Sequence, residues 1–153
     1  MAATPPLMLL FRVGNWNFAL ACREVEQVLA RPRLLDLPGA APAVIGSFVY
    51  RGALTPVVDL CRLLLGTPCP ERISSRVLLA RVPGDPESRT LGLLAESMLE
   101  ARTLEGRTLT SVEGAAPLVK RLIHENGEVH QLLEIAAVAR AAGIAGATAS
   151  PGS

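Results

Sequence analysis

Apolar residues in this chain come in short runs separated by turn-forming residues, with few long helical stripes. Residues 7–13 are a compact apolar segment, Gly14-Asn15 supplies turn chemistry, and 16–20 alternates large and small residues, which together predict a β-hairpin. Val25, Val28 and Leu29 then fall at helical spacing within 23–29, so one or two amphipathic helical turns are predicted before Pro32 ends them. Residues 34–37 predict a brief strand, and Pro38-Gly39-Ala40-Ala41-Pro42 a loop. A second hairpin is predicted from 44–50, a turn at Arg51-Gly52, and 53–60; Pro56 has no N–H to donate and must face an edge or a bulge. Residues 61–65 add a helical turn closed by Gly66, before the polar loop 67–74. Segments 76–82 and 90–95 flank a Pro- and Gly-containing loop and predict a third hairpin. Residues 98–104 read as a further strand, 108–119 fits no single pattern, and 122–133 folds about Asn126-Gly127, the strongest two-residue hairpin signal in the chain. From Glu134 onward Ala, Val and Arg favour a terminal helix. Many short strands with turn signals between them and only short helices predict an all-β, barrel-like domain.

Composition supports one compact unit or two intimately fused half-units. The chain has 153 residues, half of them hydrophobic, and each buried Val, Leu, Ile or Phe contributes roughly 1.5–3 kcal/mol, so a core forms without metals or disulfides. Fifteen basic residues against fourteen acidic leave a net charge of +1 with no block of like charge, which argues against a nucleic-acid footprint. Aromatic residues are 3% of the chain, too few for base-stacking platforms. Three cysteines, Cys22, Cys61 and Cys69, without a CxxC spacing suit reduced, buried thiols better than a disulfide framework. No positively charged n-region opens the chain, and no apolar run reaches the length that crosses a bilayer; a soluble, cytoplasmic protein without a cofactor is expected.

Catalysis needs a nucleophile, a base or a metal. The sequence has no GxxxxGK[ST] phosphate loop, no GxSxG elbow, no HExxH zinc helix and no GxGxxG dinucleotide turn. A two-residue loop at Asn126-Gly127 would pair His124 with Val129 and His130 with Ile123, placing the two histidines on opposite sides of the hairpin and disfavouring joint metal binding. Cys61 and Cys69 can bind a metal only with a third ligand, and buried structural thiols explain them more simply. Asp59 and the scattered glutamates select no acid/base pair. A non-enzyme is therefore expected, and the alternative class is a small β-barrel that binds a ligand or nucleic acid.

The run Gly46-Ser47-Phe48-Val49-Tyr50-Arg51-Gly52-Ala53-Leu54-Thr55-Pro56-Val57-Val58-Asp59-Leu60 resembles the signature of CheW-like domains. Around it, Leu10-Phe11-Arg12-Val13-Gly14, Phe18-Ala19-Leu20, Leu37-Pro38, Gly92-Leu93-Leu94-Ala95 and Leu132-Leu133-Glu134-Ile135 follow the family's order. The resemblance covers 7–138 as a single domain, with 1–6 and 141–153 expected as flexible termini. It implies two SH3-like, five-stranded β-barrels packed around an apolar seam, with short helices at the margins. It also implies a non-catalytic adaptor that bridges the cytoplasmic tip of a methyl-accepting chemoreceptor and the regulatory domain of a CheA-type histidine kinase.

The candidate partner-binding residues follow from matched positions. Gly52 permits a tight turn, and Arg51, projecting from it, either orders neighbouring loops through carbonyls or pairs with a partner's carboxylate. Gly46 allows close backbone approach and sits at a position sensitive for partner binding in the family, or it simply opens a strand. Val25 lies where the family's short helical segment contributes to partner contact, although its apolar spacing equally suits the core. Of Phe48 and Val49, one should face the core and the other a receptor groove, and Val57 and Val58 pose the same choice. Gln27 stands where the family often carries Glu, Tyr50 where Leu is frequent, and Ala95-Glu96 where Val-Asp is common. Such departures suit a pathway other than flagellar chemotaxis, for example surface sensing with a cyclic-dinucleotide output.

Overall fold

A computed structural model describes residues 5–109 and 117–144. The strands are β1 (Leu7–Val13), β2 (Trp16–Ala21), β3 (Val25–Ala30), β4 (Val44–Tyr50), β5 (Ala53–Asp59), β6 (Arg76–Arg81), β7 (Thr90–Ala95), β8 (Ser97–Thr103), β9 (Arg107–Leu109), β10 (Val119–Glu125) and β11 (Glu128–Leu133). Two short helices, α1 (Leu60–Leu65) and α2 (Ile135–Ala141), and a single 3₁₀ turn at Cys22–Glu24 complete the described secondary structure. One sheet runs β8-β1-β2-β11-β10-β9 and the other β3-β6-β7-β5-β4. The first is built from both ends of the chain, joined by the parallel pairing of β2 with β11, and the second from the middle. The two halves are thus interleaved along the chain.

Side-chain contacts reach from an edge strand of each sheet to strands near or at its other edge. In the first, Arg102 of β8 reaches Glu125 of β10 at 2.6 Å. In the second, the Tyr50 hydroxyl of β4 donates to Gln27 Oε1 of β3 at 3.1 Å. The expected pair of small barrels is present, but the first sheet has six strands where five were expected, because the three-residue β9 adds to β10.

Strand periodicity explains the core. Along β2, Ala19 and Ala21 point into a small cluster with Met8, Leu10 and Leu132, while Phe18 and Leu20 point the other way into the main core. That main core takes Phe11 and Leu133 from the first sheet and Val57, Leu78 and Leu93 from the second, so the apolar seam between the sheets is its centre. The rings of Phe11 and Phe18 stack there with centroids 6.1 Å apart.

Three local expectations need correction. Residues 23–29 do not form an amphipathic helix; after the 3₁₀ turn, β3 pairs antiparallel with β6, with an irregularity between Val25 and Gln27. The helical spacing of Val25, Val28 and Leu29 is a local signal, and pairing along the buried β6 overrides it. The strand expected at 34–37 shrinks to one bridge, Leu35 with Ser47. The terminal body extends past 138: Ala142 is buried and Ile144 packs on the core. Of the expected flexible ends, 1–6 and 141–153, residues 1–4 and 145–153 lie outside the described residues, as does 110–116 of the unassigned stretch. Pro56 behaves as expected, since β5 begins pairing with β7 only at Val57. Among the described residues, no helix is long and apolar enough to cross a membrane.

Candidate functional site

The hairpin of β4 and β5 carries most of the candidate residues. Its two-residue turn places Arg51 at φ 50 and Gly52 at φ 78, a left-handed pair that matches the twist of the flanking strands. Nothing lies within 4 Å of a Cβ built on Gly52, so the backbone angle alone calls for glycine there. Arg51 is exposed, and its guanidinium carbon lies 5.2 Å from the centre of the Tyr50 ring.

Phe48 and Val49 divide as expected. Phe48 is buried and Val49 is 63% exposed, opposite Leu54, which is 57% exposed. Leu35, bridged to Ser47 two residues along β4, is on the same face and 55% exposed. Leu35, Val49 and Leu54 therefore form an apolar face on the outside of the second sheet. Val57 and Val58 do not repeat the division, because both are fully buried. β4 and β7 fill both edges of β5 in the sheet, and Val57 and Val58, on its two faces, are each packed into the main core, which leaves neither side chain for a partner.

Gly46 approaches backbone closely. A Cβ there would sit 2.7 Å from the Leu35 carbonyl oxygen and 2.9 Å from Leu34 Cβ. Val25 is half-buried against the core, and Gln27 is exposed and tied to Tyr50. Beside the hairpin lies a groove of about 280 Å³ whose lining includes Glu26, Tyr50, Arg51, Leu54, Arg81 and Arg89. Its far wall is the β6–β7 loop, organised by Asp85. That carboxylate accepts from Arg89 Nε at 2.8 Å and from the backbone N–H groups of Glu87 and Arg89. The Arg89 hydrogen bond is the main reason the Asp85 carboxyl is held down at about 2.

Leu35, Leu54 and Tyr50 were not singled out from sequence as contact residues. The signal for Leu54 was present, since a two-residue turn at Arg51-Gly52 fixes Val49 opposite Leu54. Leu35 had no such signal, because its place depends on a bridge from a loop.

Away from this face, the hairpin histidines take the expected register, His124 with Val129 and His130 with Ile123. Cys61 and Cys69 are buried as expected but joined in a disulfide, which corrects the expectation of reduced thiols. Their separation of 8 residues closes because Gly66 ends α1 in the left-handed conformation and turns the chain back. Asp59 Oδ1 caps α1 through the N–H groups of Cys61 and Arg62, and Oδ2 accepts from Cys69 N at 3.1 Å. Asp59, Cys61 and Cys69 offer ligand atoms within 4.8 Å of one another, but the carboxylate is engaged by three backbone donors and the sulfurs by each other.

Residues 7–143 match the family model described as CheW-like domain. Protein PilI of Pseudomonas aeruginosa is 41% identical over 69 residues, covering 45% of this chain and 39% of that protein. Chemotaxis protein CheW of Rhizobium meliloti is 26% identical over 102 residues, covering 67% of this chain and 63% of that protein. The chain thus matches less than two thirds of the length of either curated relative. The crystal structure of the scaffolding protein TtCheW from Thermoanaerobacter tengcongensis superposes with a TM-score of 0.77, over 88% of this chain and 87% of that one, at 14% identity. That likeness is one of fold.

Proposed function

The chain belongs to the CheW-like domain family, and from that premise we propose that it is a non-catalytic adaptor linking the cytoplasmic tip of a methyl-accepting chemoreceptor to the regulatory domain of a CheA-type histidine kinase. It acts in the cytoplasm, recruited to receptor arrays, in chemotaxis or in a chemotaxis-like pathway such as surface sensing with cyclic-dinucleotide output. The observation that carries this reading is the exposed cross-strand pair Val49–Leu54 beside the Arg51 groove. Contiguous exposed apolar residues rimmed by polar ones suit protein contact, where a few packed residues supply most of the affinity. Gln27, Gly46, Gly52 and Val25 serve that face by shaping it, and Arg51 offers a fork of donors to a partner carboxylate.

The test is a titration of the purified chain against receptor tip and kinase regulatory domain, with Val49→Asp and Leu54→Asp as variants. Both partners should bind the wild type. The variants, whose side chains touch little of the core, should keep their melting midpoint and lose one partner by tenfold or more, since truncating a central contact costs about 2 kcal/mol or more. A folded wild type that binds neither partner would end this reading.

A further inference from the structure

We propose that Cys61 and Cys69 form a reversible thiol–disulfide site, exchanging with a low-molecular-weight thiol couple of the glutathione class and clasping α1 to the loop that follows it. The pair lies outside the proposed partner face, and the inference does not depend on which partners bind. Both cysteines are positioned by something other than their mutual bond. The Asp59 carboxylate accepts from the backbone N–H of Cys61 at 2.9 Å and of Cys69 at 3.1 Å, so one buried anion holds the two chain segments with their Cα atoms 5.0 Å apart. Opening the disulfide leaves that arrangement in place and ready to close again.

The surroundings also suit the open form. Cys61 Sγ lies 3.9 Å from Glu96 Oε1, and Cys69 Sγ lies 3.9 Å from the Leu94 carbonyl oxygen. Each thiol produced by reduction therefore has an acceptor beside it, and neither S–H is buried without a partner. A dithiol form that is already satisfied is what a reversible site requires. A metal site fits less well, because the Asp59 oxygens are occupied by three N–H donors.

The exchange balances as a two-electron step. A reductant thiolate attacks one sulfur, giving a mixed disulfide and one free cysteine thiolate. A second reductant thiolate then releases the other cysteine, and two protons from solution leave the Cys61 and Cys69 thiols and one reductant disulfide. Oxidation by that disulfide runs the same path in reverse. Both cysteines are buried, and the Gly66-Thr67-Pro68 segment between them is exposed to solvent, so the attacking thiolate enters as that segment opens.

The clasp reaches the seam between the sheets. Glu96, next to Cys61 Sγ, also accepts from Gly14 N at 3.2 Å in the β1–β2 turn and pairs with Arg72 at 3.2 Å. Leu65, at the end of α1, lies against that same turn, beside Trp16. Trp16, the only tryptophan in the chain, is 58% exposed and lies next to the Gly14 backbone that Leu65 packs against, so its emission is a probe of this turn.

The experiment equilibrates the full-length chain in buffers of graded reduced-to-oxidised glutathione ratio, quenches with acid, denatures, alkylates with N-ethylmaleimide and counts adducts by mass. Oxidised protein should carry one adduct, at Cys22, and reduced protein three. The transition should superimpose when approached from either side and persist in Cys22→Ser. Reduction should lower Tm by roughly 5–10 °C, as expected for a short closed loop in a chain of this size, and shift Trp16 emission. The double variant Cys61→Ser/Cys69→Ser should reproduce the reduced protein's Tm and show no transition. Three adducts at every ratio, one adduct at every ratio, loss of the transition in Cys22→Ser, or one equivalent of zinc retained by the reduced protein against a chelator would each overturn the proposal.

Discussion

Gly46→Ala should destabilise the protein by about 3 kcal/mol while detaching one surface segment from an otherwise folded domain. The new methyl group would stand 2.7 Å from the Leu35 carbonyl oxygen, which is itself the acceptor for Ser47 N at 2.8 Å. The backbone there has φ +153, so an L-residue adds strain of about 1–3 kcal/mol if the conformation is kept. Overpacking adds about 1–3 kcal/mol. The alternative is to release the segment. That sacrifices the reciprocal bonds Leu35 N to Ser47 O and Ser47 N to Leu35 O, at about 0.5–1.5 kcal/mol each, and part of the packing of Leu34 on the core. The release route costs about 3 kcal/mol and sets the ceiling, within the 5–15 kcal/mol that domains of this kind possess. Urea denaturation measures the total, and amide exchange at Leu35 and Ser47 tests the route, with Phe48 as internal reference. Gly52→Ala is the control: it meets no neighbour within 4 Å and pays only for a left-handed angle, about 1 kcal/mol. A Gly46→Ala loss below about 0.5 kcal/mol, or unchanged protection at Leu35 and Ser47, would refute this account. The result bears on function, because Leu35 is part of the exposed apolar face. A Gly46 variant that loses a partner has moved a contact residue, and so does not show that the partner touches Gly46.

Two further outcomes follow from the carboxylates. Asp59→Ala removes the cap of α1 and the tie to Cys69 together, so urea midpoints should report a loss of about 2–4 kcal/mol, with Asp59→Asn in between; an Asn variant equal to wild type would show that the charge and the second oxygen are idle. Asp85 has its carboxyl depressed by Arg89, so its contribution is fully present above the unfolded value of about 4 and drains away as pH falls toward about 2. The gap in melting midpoint between wild type and Asp85→Asn should narrow across that window, and a gap that stays constant would show that the ion pair contributes nothing.

Turn chemistry made much of the fold legible. Asn126-Gly127 and Arg51-Gly52 each fix a register, and with it which side chains face each other: His124 with Val129, Val49 with Leu54. The resemblance around Gly46–Leu60 supplied the family, and the family's order of segments supplied the paired barrels. What was not legible depends on distant parts of the chain. β3 carries residues at helical spacing, and only the presence of β6 alongside decides for a strand. The Cys61–Cys69 link needs a helix cap, a left-handed glycine and a carboxylate ten residues from Cys69, none of which a count of cysteines contains. Val57 and Val58 read as one inward and one outward residue, the pattern of a strand with one wet face, but a strand with neighbours and packing on both sides buries both.

Two departures from the family pattern, read separately along the sequence, meet in the fold. Gln27 and Tyr50 occupy the outer strands of the second sheet and hydrogen-bond to each other, and Arg51 packs on the Tyr50 ring. A Glu at position 27 would place a carboxylate beside that arginine, and a Leu at 50 would have no hydroxyl to span the gap. With Gln and Tyr together, β3 and β4 are joined by neutral groups, whose contact is insensitive to ionic strength in a way an ion pair is not. The Arg51 guanidinium then faces the groove without an anion supplied from position 27. The two residues, 23 apart in sequence, meet through one hydrogen bond between neutral groups, so position 27 adds no charge to the face. A scaffold can alter its choice of partner in this way without altering its fold, since like and unlike charges at an interface discriminate between partners more than they add to affinity.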